Sequence, residues 1–93
     1  MKSTISKVDV LGMSLDKWQY ESCTAHIATG EDWATLYGIE SRIEGKGHAT
    51  GLLKEAKAYY ESQGKHFGGS VALNPKMRSI YEKLNIPEYL YVR

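Results

Sequence analysis

Ile39-Glu-Ser-Arg-Ile-Glu-Gly-Lys-Gly-His-Ala-Thr-Gly-Leu-Leu53 is the stretch on which the reading of this chain turns. Upstream of it the residues suit extended backbone, and downstream they follow a helical period. Between the two, Glu44-Gly45-Lys46-Gly47-His48-Ala49 forms a tight, glycine-containing junction. Small residues where a strand passes into a helix let backbone N–H groups converge on an anion, and the helix N-terminus adds about half a positive charge. A diphosphate-bearing ligand suits such a loop, and so does plain strand-to-helix turning. Two better-known phosphate loops do not fit. A Walker loop needs Gly-Lys-Ser/Thr, and Lys46 is followed by Gly47. The dinucleotide fingerprint would need a third glycine where Thr50 stands, and a matching acidic residue about 20 positions on.

Working outward, three extended runs precede the junction. Ile5, Val8, Val10 and Leu11 belong to a β-branched opening, with a turn expected around Gly12, Ser14 and Asp16. Trp18 to Ala28 reads as a second run. Thr29-Gly30-Glu31-Asp32 has hairpin-turn chemistry, and Trp33 to Ile39 is the third run, so the last two predict an antiparallel hairpin. After the junction, Leu52, Leu53, Ala56, Tyr59 and Tyr60 share one helical face, opposite Lys54, Glu55, Lys57 and Glu61, with Gly64 as the stop. Phe67 to Leu73 predicts a short strand weakened by Gly68-Gly69. Asn74 and Pro75 open a second helix carrying Met77, Ile80, Tyr81 and Leu84, closed by Asn85 and Pro87. Glu88 to Val92 predicts a last strand. The order β-β-β-α-β-α-β implies an α+β, or α/β sandwich, fold with a mixed, mostly antiparallel sheet, because the strand–helix–strand segment needs a parallel pair.

Ninety-three residues make one small domain, taken here as 1–93, and its 42% hydrophobic and 25% charged residues are those of a globular chain. A net charge of +1 lacks the basic excess expected of a general nucleic-acid or anionic-membrane binder. Cys23 is the sole cysteine, which excludes an internal disulfide and makes a reducing compartment the default. With no apolar run near transmembrane length and no signal-like start, the expected location is the cytoplasm.

The junction motif resembles that of the GCN5-related N-acetyltransferases, whose hallmark is Gln/Arg-x-x-Gly-x-Gly/Ala at this strand-to-helix boundary. Glu44-Gly45-Lys46-Gly47-His48-Ala49, followed by Thr50-Gly51-Leu52-Leu53, matches it in register, with Glu44 at the position usually held by Gln or Arg. A second motif, Asn followed by a helix and Tyr-Glu-Lys, is similar to Asn74 with Tyr81-Glu82-Lys83 seven residues later. The resemblance spans roughly Thr35 to Ile86. The family's two N-terminal helices have no counterpart here, so the chain looks like a pared-down member.

The resemblance implies acetyl-CoA as co-substrate, no metal, and transfer of the acetyl group to a primary amine: a protein lysine or N-terminus, or a small amine. Amides from Gly45, Lys46, Gly47, His48, Ala49 and Thr50 would hold the pyrophosphate, and the Ile39 amide would bond the acetyl carbonyl. Tyr81 would protonate the departing thiolate, a phenol near ~10 and a thiol near ~8.5 being close enough for the transfer. Asn74 would cap its helix and touch the pantetheine arm. Glu40, or a water, would take the amine proton. The alternative is a non-catalytic CoA-binding or protein-binding module with the same fold, favoured by a carboxylate at Glu44. An ATP-binding regulator is a third reading. His26, His48 and His66 are too scattered for a metal site, and Cys23 reads as a buried small hydrophobe. Two tryptophans and seven tyrosines in so short a chain suggest an oligomer interface or an acceptor surface. The thin core and open sheet edges point toward a homodimer.

Overall fold

Hairpins build the first half of the molecule. In the computed structural model, which describes residues 3–42, 47–69 and 75–87, β1 (Thr4–Val10), β2 (Met13–Tyr20), β3 (Cys23–Thr29) and β4 (Trp33–Ser41) follow one another through short turns. Then come α1 (His48–Glu61), β5 (His66–Gly69) and α2 (Pro75–Leu84). The strands form one sheet in the order β1-β2-β3-β4-β5, antiparallel at the first three pairings and parallel between β4 and β5. A mixed, mostly antiparallel α+β fold is therefore present. Residues 70–73 of the fifth run, and the final strand expected from Glu88 to Val92, lie outside the described residues.

The sequence predicts three extended runs before the first helix, and the structure has four strands. The expected second run breaks at Glu21-Ser22, where Tyr20 pairs with Cys23 across a two-residue turn. Glu21 takes φ 54, a left-handed conformation that its composition does not advertise. The first turn is also shorter than expected. It consists of Leu11 (φ 51) and Gly12 (φ 83), while Ser14 and Asp16 already pair within β2. Two successive positive φ values are the signature of a type I′ hairpin turn, in which Asn-Gly is the favoured pair.

Strand alternation sorts the side chains. Trp18, Ala25 and Ile39 lie side by side on one face, as do Ile27 with Leu36 and Ala34 with Phe67. α1 covers that face with Leu52, Leu53, Ala56 and Tyr60, all buried. Each such Leu contributes roughly 1.5–3 kcal/mol relative to exposure. Tyr59 sets its ring edge-on to Trp18 at 5.4 Å, and Tyr60 stacks on Phe67 with centroids 5.9 Å apart.

A polar chain threads this apolar layer. The Trp18 Nε1–H donates to the Tyr60 hydroxyl at 3.0 Å, and that hydroxyl donates to Asp16 Oδ2 at 2.5 Å. Lys7 Nζ, itself in solvent, pairs with the other Asp16 oxygen at 2.9 Å. Every group in the chain has a partner, which is what keeps a carboxylate tolerable at a position only 7% exposed. Burial, and then the hydrogen bond to Asp16, raise the Tyr60 pKa well above the usual phenol range.

Candidate functional site

β4 changes phase in mid-strand. His26 pairs with Gly38, but the next residue, Ile27, pairs with Leu36, so Tyr37 is an extra residue and β4 carries a bulge. Ala34 and Leu36 face α1 before it, and Ile39 and Ser41 face α1 after it. The Arg42 N–H donates to the Ser22 carbonyl at 3.1 Å. Antiparallel alternation then directs the backbone groups of Glu40 and Gly38 toward β3, and those of Ile39 and Ser41 toward the opposite edge.

That opposite edge is where β5 runs, and β5 pairs with β4 only from Trp33 to Leu36. Among the described residues, no strand continues along β4 past the bulge. Nothing among them pairs with the Ile39 amide along that edge. On the far side of β5, the Gly69 N–H donates to the Pro87 carbonyl at 2.7 Å. Gly69 also leaves room for Tyr81, because a Cβ there would overlap the end of the phenol ring. Tyr81 is buried, 5% exposed, and belongs to the main core cluster.

α1 starts at the end of β4 that carries this edge. Its N-cap, Gly47, adopts φ 75, and no side chain caps the helix. The first-turn N–H groups, on His48, Ala49 and Thr50, have no acceptor within the helix, whereas the Gly51 N–H already bonds the Gly47 carbonyl at 2.9 Å. His48 is held on two sides: its Nδ1 lies 2.8 Å from the Ser22 hydroxyl, and the Tyr20 ring meets it at 6.3 Å in an edge-on contact.

Of the residues singled out from sequence, Ile39, Gly47, His48, Ala49, Thr50 and Tyr81 thus flank one end of β4 and β5. Gly45, Lys46 and Asn74, together with Glu44, lie outside the described residues. Glu40 is exposed and turns its side chain to the sheet face away from α1, on the same side as its partner Thr24. There it joins Gln19, Glu21, Ser22, Thr24 and Arg42 around a shallow polar depression of about 270 Å³. Glu40 and the Ile39 side chain therefore lie on opposite faces of the sheet.

Cys23 is fully buried, and burial pushes its thiol up to about 11, so it stays protonated near neutrality and serves as a small core residue. Among the described residues no group of three or more His, Cys, Asp or Glu could hold a metal ion, and no helix is long and apolar enough to cross a membrane. Ser22 is a site residue that sequence patterning misses, because its partner His48 is 26 positions away and neither residue sits in a motif with the other. Comparison with protein-family models, with curated proteins and with solved structures gives no match.

Proposed function

We propose that this protein is an acetyl-CoA-dependent N-acetyltransferase with a reduced form of the GCN5-related fold, acting on a primary amine of a protein lysine or N-terminus. The observation that carries the reading is the β4 edge beyond the Tyr37 bulge, where the Ile39 amide points away from β3 and meets no partner strand among the described residues. An extended, amide-rich ligand arm of the pantetheine kind can add to such an edge as a strand would. The diphosphate end of the same ligand then falls toward the α1 N-terminus, where Gly47 leaves space and the helix dipole favours negative charge.

In this reading the acetyl carbonyl bonds the Ile39 amide, which stabilises the oxyanion as the amine attacks the thioester carbon. Tyr81 donates its hydroxyl proton to the departing sulfur. Its ring end lies against Gly69, the last described residue of β5, which pairs with β4 at Leu36. Glu40 lies one residue from Ile39 but on the other sheet face, which suits a base acting on an amine that approaches from that side, directly or through water.

Calorimetric titration with acetyl-CoA, with ATP as control, tests the cofactor. Binding in the micromolar range to acetyl-CoA alone, roughly −8 kcal/mol, supports the reading. Absence of binding removes it. Tyr81→Phe then separates catalysis from binding: an enzyme keeps its acetyl-CoA affinity and loses turnover by about 100-fold or more. Bound acetyl-CoA with no turnover on any amine, and no effect of Tyr81→Phe, would instead mark a CoA-binding module.

A further inference from the structure

Ser22 and His48 come together from the β2–β3 turn and the first residue of α1, with the serine Oγ 2.8 Å from the imidazole Nδ1. Both are part-buried. The serine backbone is anchored through its carbonyl, which accepts the Arg42 N–H at 3.1 Å, and the imidazole is supported by the edge-on Tyr20 ring. Ser22 also borders the 270 Å³ polar depression. The first turn of α1 supplies N–H groups without intrahelical acceptors immediately beside the base.

We propose that Ser22 and His48 form a nucleophile–base dyad that accepts a short acyl group from an activated ester or thioester. The acetyltransferase reading uses neither side chain, although it sets its diphosphate at the same α1 N-terminus. With its proton on Nε2, His48 accepts the Ser22 hydroxyl proton at Nδ1 as Oγ bonds to the acyl carbon and the carbonyl electron pair moves onto oxygen. The developing oxyanion is favoured by the positive end of the α1 dipole. When the carbonyl re-forms, the bond to the alkoxide or thiolate breaks, and that group leaves with the proton from Nδ1. Water then adds to the acyl-serine, giving a proton to Nδ1. The Ser22 oxygen leaves and recovers that proton, releasing the carboxylic acid.

The test uses the full chain with p-nitrophenyl acetate as oxygen ester, the N-acetylcysteamine thioester of acetate as thioester, and a fluorophosphonate that traps the nucleophile. Peptide mapping is expected to place the phosphonyl adduct on Ser22. Its rate of formation is expected to fall about 100-fold or more in His48→Gln, in protein whose circular dichroism matches the parent. Ester and thioester arms tell which leaving group is accepted, and turnover of either one that is lost in Ser22→Ala supports the dyad. An adduct absent from Ser22 after hours, or one forming equally fast in folded His48→Gln, would overturn it.

Discussion

Replacing Tyr60 by Phe isolates the polar chain that runs under α1. The substitution removes one oxygen and keeps the ring, so the 5.9 Å stack on Phe67 and the filling of the core remain. Two bonds disappear: the Trp18 Nε1–H loses its acceptor at 3.0 Å, and Asp16 Oδ2 loses its donor at 2.5 Å. A neutral bond is worth about 0.5–1.5 kcal/mol net, and one to a charged group about 1.5–3. Lys7 still holds the other Asp16 oxygen, which keeps the total toward the lower part of the range. We expect a loss of about 2–3 kcal/mol, a large share of the roughly 5–14 kcal/mol that a domain of this length commands. Urea unfolding at neutral pH, followed by tryptophan fluorescence and circular dichroism together, measures it.

The same variant changes the alkaline limb. Because the Tyr60 pKa is raised in the folded state, the folded protein holds this proton while the unfolded chain releases it above the ordinary phenol value near 10. Stability contributed by Tyr60 is therefore complete below pH 10 and falls as pH rises above it, and Tyr60→Phe shows less of that fall. A neutral-pH loss below about 0.5 kcal/mol, or an unchanged alkaline limb, would refute the account of this network.

Three further expectations concern packing, turn chemistry and the buried thiol. Gly69→Ala forces the Tyr81 ring aside and is expected to cost about 1–3 kcal/mol, while in a Tyr81→Ala background the same change is expected to be close to neutral, a coupling that a double-mutant cycle in urea reads. Leu11→Asn puts a residue suited to φ 51 into the type I′ turn and removes a side chain 98% exposed, so a gain of about 0.5–1 kcal/mol is expected in thermal unfolding. Cys23, raised from 9.0 to about 11, makes stability fall by about 1.4 kcal/mol per pH unit as pH rises through that interval, and Cys23→Ala is expected to flatten the decline.

The parts of the fold that announce themselves in sequence are those whose local chemistry and tertiary role agree. Pro75 and the spacing of Met77, Ile80, Tyr81 and Leu84 give α2, and α1 buries Leu52, Leu53, Ala56 and Tyr60 as its periodicity predicts. The Thr29–Asp32 hairpin is equally legible, and its closing bond from the Gly30 N–H to the Trp33 carbonyl is present. The Glu21-Ser22 turn is not, since neither residue is a strong turn former. Trp18 joins the core from an even position and Cys23, Ala25 and Ile27 from odd ones, a change of parity that Leu15, buried at an odd position, obscures. The Ser22–His48 pair is illegible for a different reason, because it exists only once β2, β3 and α1 are assembled.

The bulge at Tyr37 carries a consequence for how this chain can vary in length. A hairpin turn such as Thr29–Asp32 can gain or lose a residue at modest cost, because only the loop is redrawn. Position 37 behaves like a turn in this respect. Tyr37 is the extra residue, so its loss closes the bulge and leaves Ile27 opposite Leu36, His26 opposite Gly38 and Ala25 opposite Ile39. Every downstream side chain of β4 keeps its face, Ile39 toward α1 and Glu40 away from it, and the Ile39 amide keeps its direction. A one-residue change in chain length is thus absorbed at the bulge without altering which backbone N–H β4 offers to a ligand.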